Sequence, residues 1–135
     1  MIVDSYDGAY GLTIRISARS PSDLEAVQSV FAELASGRLE EADLCVRLSG
    51  CSSSVRWLLL VSCTEPSLSG LRIKERSPEG MTFIWQNTLE DWSECLQKTS
   101  ALIAYNKPAH QYLTKEGLDD ALIELSFLEG SDTGR

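Results

Sequence analysis

Two stretches with helical periodicity, each opened by a capping hydroxyl, lie in a chain otherwise patterned as strands, and this alternation constrains the fold more than any other feature. Ser20, Pro21 and Asp23 supply an N-cap oxygen, a preset φ at the first helical position and a carboxylate beside the unpaired amides, so a helix is predicted to begin here. Leu24, Val27, Phe31 and Leu34 follow at spacings of three and four until Gly37 offers a stop. Thr88 and Asp91 repeat the capping logic and predict a second helix through residue 104. Its expected inward stripe is Leu89, Trp92, Leu96, Thr99 and Ile103, with Cys95 and Leu102 at the margin, and Asn106-Lys107-Pro108 ends it.

The remaining segments alternate with period two or are continuously apolar. Residues 10–18 place Tyr10, Leu12, Ile14, Ile16 and Ala18 on one face of a strand, and residues 43–48 form a weaker strand pattern. Residues 55–63 are apolar at both parities, which predicts a central strand either covered on both sides or sharing a face with a neighbour's edge. Residues 71–76 and 81–86 read as a hairpin around Ser77-Pro78-Glu79-Gly80. Short strands over 109–114 and 121–128 flank a charged turn, and the tail from Gly130 is expected to fray. The fold class is therefore α+β: a single domain with an antiparallel or mixed sheet of about six to seven strands and two helices on one face. A length of 135 residues suits one core, and no internal repeat is visible.

Twenty acidic residues against twelve basic ones give a net charge of −8. That balance disfavours nucleic acid and anionic membranes, because phosphate binding needs a positive field, and favours a basic protein partner. The longest apolar run, residues 57–61, is too short to span a bilayer, and the first residues lack a basic and apolar export signal. Cytoplasmic residence is the expectation. Cys45, Cys51, Cys63 and Cys95 lack the paired spacing of a zinc or redox motif, so no metal site is expected from them and disulfides are disfavoured.

Chemistry-bearing residues are few. His110 is the sole imidazole, and Tyr112 falls on the same strand face two positions later. Segment 115–135 holds six acidic side chains against two basic ones, half the imbalance of the whole chain. Of these, Glu116, Asp119 and Asp120 crowd one turn, with Glu124 and Glu129 beyond it. A calcium loop is absent, and like charges in a turn ordinarily just face water. Glu90, Asp91 and Glu94 open the second helix, where the dipole accounts for them, although they would extend an acidic surface if the last strand lay nearby. Core packing is expected for Trp57, Trp85 and Trp92. Phosphate-loop, nucleophile-elbow and dinucleotide fingerprints are all missing, so neither an enzyme nor a cofactor is expected.

The run Phe83-Ile84-Trp85-Gln86-Asn87-Thr88-Leu89-Glu90-Asp91-Trp92-Ser93-Glu94-Cys95, followed by His110-Gln111-Tyr112-Leu113 and Asp119-Asp120-Ala121-Leu122-Ile123-Glu124, resembles small bacterial immunity proteins of polymorphic or contact-dependent toxin systems. The resemblance covers the C-terminal third and implies a non-enzymatic inhibitor of a cognate toxin domain; it transfers no contact residues. From charge and patterning, the expected partner-binding residues are Glu116, Asp119, Asp120, Glu124, Tyr112 and His110. An acidic surface suits a basic toxin such as a nuclease, whose substrate channel is positive. Two other classes remain open: a small-ligand or regulatory domain using the sheet face opposite the helices, and a homo-oligomeric assembly subunit.

Overall fold

A computed structural model of the chain describes residues 1–52, 54–114 and 120–129. The elements in order are β1 (Ile2–Gly8), β2 (Gly11–Ala18), α1 (Pro21–Ala35), β3 (Glu41–Asp43), α2 (Leu44–Arg47), β4 (Val55–Ser62), a 3-10 turn (Pro66–Leu68), β5 (Gly70–Ser77), β6 (Gly80–Asn87), α3 (Leu89–Tyr105), β7 (Ala109–Tyr112) and β8 (Leu122–Phe127). The α+β class is as expected, but the sheet is not single. Eight strands form two mixed four-stranded sheets, ordered β1-β2-β8-β7 and β3-β4-β6-β5.

The two sheets are copies of one design. Each half of the chain runs strand, strand, helix, strand, strand, and each sheet joins the first hairpin of one half to the last two strands of the other. The central pairs β2–β8 and β4–β6 are parallel, and the outer pairs in both sheets are antiparallel. Matching residues recur in matching places. Gly11 (φ +106°) and Gly80 (φ +122°) each follow a two-residue turn, a conformation that a side chain would strain. Thr13 and Thr82 are buried two residues later, and Ser20 and Thr88 cap the helices by accepting from the amides of Asp23 and Asp91. Leu24, Val27, Phe31 and Leu34 on α1 correspond to Trp92, Cys95, Thr99 and Leu102 on α3, and all eight are buried.

α1 and α3 pack against each other, and their buried faces join the inner residues of both sheets in one hydrophobic cluster. Phe31 stacks on Trp92 and meets Trp85 edge-on, while Trp85 and Trp92 also meet edge to face at 4.9 Å. The buried stripe of α3 is turned from the expected one: Cys95 and Leu102 are central, whereas Leu89 is 46% exposed. α1 ends as expected, with Gly37 at φ +79° and amides 37 and 38 returning to the carbonyls of Leu34 and Glu33.

Three further expectations are corrected. β1 lies outside every predicted strand. Residues 44–47 are a helical turn rather than a strand, because Asp43 Oδ1 caps the amide of Cys45 and draws the chain out of the β3–β4 ladder. β4 is an interior strand as expected, but it is not covered on both sides: Leu58 and Leu60 are fully buried, while Trp57, Leu59 and Val61 on the other face are half-buried.

Candidate functional site

Alternation along the strands decides which side chains leave the core of the first sheet. Ile14 and Ile16 on β2, and Ile123, Leu125 and Phe127 on β8, point inward and are buried. Their neighbours emerge on the opposite face, where strand register aligns them in rows. One row is Asp4, Arg15, Glu124 and Tyr112, and the next is Ile2, Ser17, Ser126 and His110. Tyr6 begins a third row, and Tyr10, in the β1–β2 turn and 75% exposed, leans edge-on against Tyr112. Tyr10 was expected inside the strand; the two-residue turn places it outside.

Glu124 is the most buried ionisable group of this face, with 6% of its surface exposed. Tyr6 Oη donates to its Oε1 at 2.6 Å. Arg15 is its cross-strand neighbour, yet the guanidinium lies over the Tyr6 ring and points to Asp4 at 3.5 Å. Glu124 consequently has no ion pair among the described residues. Asp4 Oδ1 and Arg15 Nε are themselves buried without hydrogen-bond partners. Burial, reinforced by the hydrogen bond to Glu124 and its charge, pushes the Tyr6 phenol up to about 12. Burial and then Glu124 raise Tyr112 as well, so both phenols stay protonated donors at neutral pH.

His110 lies in the adjoining row. Its Nδ1 is 2.9 Å from Glu129 Oε1, the oxygen to which Ser126 Oγ also donates at 3.3 Å. Glu129 reaches back because Leu128 adopts a left-handed conformation (φ +57°) while its amide donates to Ala18 O. Ligand atoms of His110, Glu124 and Glu129 all fall within 4.8 Å of one another. The His110 ring meets Tyr112 edge-on at 5.5 Å.

The other sheet is an internal control for this face. By cross-strand pairing, Asp4, Arg15, Glu124 and Tyr112 correspond to Arg72, Ile84, Leu59 and Asp43, and the Ser126–His110 pair to Val61–Glu41, although the second sheet has irregularities at Val55–Trp57 and Ile73–Glu75 that the first lacks. The same backbone is built with aliphatic side chains at the two central positions, so the architecture does not call for Arg15 and Glu124.

The structure therefore brings together His110, Tyr112 and Glu124 from among the expected residues. Asp120 is exposed and elsewhere: its carboxylate accepts from Ile73 N and its amide donates to Leu71 O, tying the start of β8 to edge strand β5. Glu116 and Asp119 lie outside the described residues. Asp4, Tyr6, Tyr10 and Arg15 were not anticipated, and Glu129 was noted only as one acid of the tail. Asp91 accepts from Ser69 Oγ, and with Glu94 and Lys98 it borders a cavity of about 130 Å³ also lined by Leu113 and Thr114, so the start of α3 adjoins the residues that follow β7.

Cys45 and Cys51 form a disulfide, against expectation. α2 ends with Ser49 in a left-handed conformation, and the Gly50 amide returns to Cys45 O, which brings the two Cα atoms to 5.4 Å. Cys95 is free and buried, its thiol pushed up to about 12 by desolvation, and Cys63 is free and half-buried. No described helix is long and apolar enough to cross a membrane. Comparisons with protein families, curated proteins and solved structures find no match.

Proposed function

We propose that this chain is a non-enzymatic, cytoplasmic immunity protein that neutralises a cognate basic toxin domain, a nuclease being the class that best suits its charge, and that it docks through the outer face of the β1-β2-β8-β7 sheet. The observation that carries this reading is the set of tyrosines, His110 and carboxylates on that face, where the sister sheet has aliphatic residues at its centre. Tyr10 and His110 are exposed and Tyr112 is braced between them, an arrangement that presents large, rigid, hydrogen-bonding surface at low entropic cost. The net charge of −8 supplies attraction to a basic partner. Glu124 acts in this reading from beneath, by fixing Tyr6, while Asp120, bound to β5, lies away from the docking face.

The test reads the frame immediately upstream in the genome for a large secreted protein with a basic C-terminal domain and co-expresses that domain with this chain, followed by affinity measurement; absence of such a frame counts against the assignment. Protection from that domain and a 1:1 complex are expected. Tyr10→Ala with Tyr112→Ala should weaken binding at least about tenfold, as loss of central aromatic anchors does. Trp57→Ala, on the outer face of the other sheet, should leave it unchanged. Absence of a complex, or equal loss from both variants, refutes the assignment.

A further inference from the structure

We propose that His110, Glu124 and Glu129 form a binding site for a divalent transition-metal ion. The three residues offer one nitrogen and two carboxylate oxygens within 4.8 Å of one another. A tetrahedral zinc ion with bonds of about 2.0–2.2 Å holds its ligands roughly 3.4 Å apart, so the cluster needs to contract by little more than an ångström. The two residues that must move are the two able to. His110 is 43% and Glu129 30% exposed at the side chain, whereas Glu124 is fixed in the sheet.

The independent pointer to a cation is Glu124. A glutamate residue 94% removed from solvent is ordinarily ion-paired or bound to metal, and among the described residues this one has no ion pair and accepts a single side-chain hydrogen bond, from Tyr6. Arg15, the cation in reach by register, is turned to Asp4. Tyr6 Oη on Glu124 and Ser126 Oγ on Glu129 supply the outer hydrogen bonds that orient metal-binding carboxylates. The mixed nitrogen and oxygen donor set suits zinc, cobalt or manganese over calcium or magnesium. The exposed side of His110 leaves an entry path and open coordination positions for solvent or for a group from a partner. The site does not rest on the docking proposal, because the chain alone is sufficient to bind the ion.

The experiment titrates tag-free protein with zinc by calorimetry and with cobalt by visible absorption, whose intensity reports coordination geometry. One saturable site per chain is expected, with zinc preferred over calcium and magnesium. His110→Ala and Glu129→Gln should each weaken zinc binding on the order of tenfold or more. Both are surface changes, and an unaltered circular dichroism spectrum will show that they fold. Cys63→Ser and Glu94→Gln should bind as the parent does. Absence of saturable binding, zinc affinity unchanged in both ligand variants, or a preference for calcium or magnesium overturns the proposal.

Discussion

Replacing Glu124 by leucine tests whether the polar face serves function at the cost of stability. The change copies Leu59, its counterpart in the sister sheet, so the backbone is known to accept it. Removing the carboxyl loses the hydrogen bond from Tyr6, a net cost of about 1 kcal/mol that is moderated because the Tyr6 hydroxyl is half-buried and water can replace the acceptor. In return, a leucine that is almost fully buried contributes roughly 1.5–3 kcal/mol, and the desolvation cost of an unpaired carboxylate disappears. Glu124→Leu is therefore expected to unfold between about 0 and 2 kcal/mol harder than the parent, by the rule that a buried charge is replaceable by an apolar isostere. Urea titration followed by tryptophan fluorescence measures this, with an unchanged slope showing that the unfolded state is not altered. The reciprocal variant, Leu59→Glu, places a carboxyl where no tyrosine waits and should lose roughly 1–3 kcal/mol. Loss of more than about 2 kcal/mol in Glu124→Leu would show that the carboxyl holds the sheet together, and the argument from duplication would fail.

Alkaline titration should expose Tyr6. Its folded value of about 12 lies above the ordinary 10.0, so the contribution to stability is complete below pH 10 and fades as pH rises toward 12; the buried Cys95 thiol, raised from 9.0 to about 12, acts in the same direction from pH 9 upward. Tyr6→Phe should remove a late component of tyrosinate absorbance and flatten the alkaline loss of stability, and an unchanged profile would refute the assignment. Reducing the Cys45–Cys51 bridge, or substituting both cysteines by serine, should cost about 2 kcal/mol, the chain-entropy value for so short a loop. A shift below about 0.5 kcal/mol in urea unfolding under reductant would show that the bridge constrains nothing.

Local signals were legible where chemistry and pattern coincide. Both helix starts are dictated by a hydroxyl three residues before an aspartate, and both are observed. The hairpin of β5 and β6 follows from its turn residues. β1 carries no strand signal because only one of its inward positions is apolar: Val3 is buried, but the next two, Ser5 and Asp7, carry no hydrophobic period, and the Ser5 amide donates a hydrogen bond to Ser54 Oγ. The split into two sheets depends on β2 meeting β8 and β4 meeting β6, pairings between opposite halves that no local window contains. His110 and Tyr112 were legible as one face. Glu124 is grouped with them by charge alone, whereas its direct pairing with Tyr112 requires the β7–β8 register and the approach of Glu129 requires the left-handed turn at Leu128. The disulfide likewise depends on Ser49 in a conformation that serine seldom adopts.

The duplicated architecture explains how one face of so small a chain can hold so many ill-satisfied polar groups. The two helices and the inner faces of both sheets make one core, and the buried positions of the two halves correspond residue by residue, so both contribute to stability. The outer faces are free to diverge, because neither Leu59 nor Glu124 is dictated by the backbone they share. In one sheet the centre of that face is Ile84 and Leu59, with the buried Thr82 Oγ1 nearby lacking a partner; in the other it is Arg15 and Glu124, with buried atoms of both Asp4 and Arg15 lacking partners. Such groups carry a penalty that selection removes unless they are used. A fold with a single sheet would suffer that penalty in its only strand scaffold. Here two of the three such atoms among the described residues fall in one copy, and the aliphatic centre of the other copy supplies a reference against which their cost can be measured.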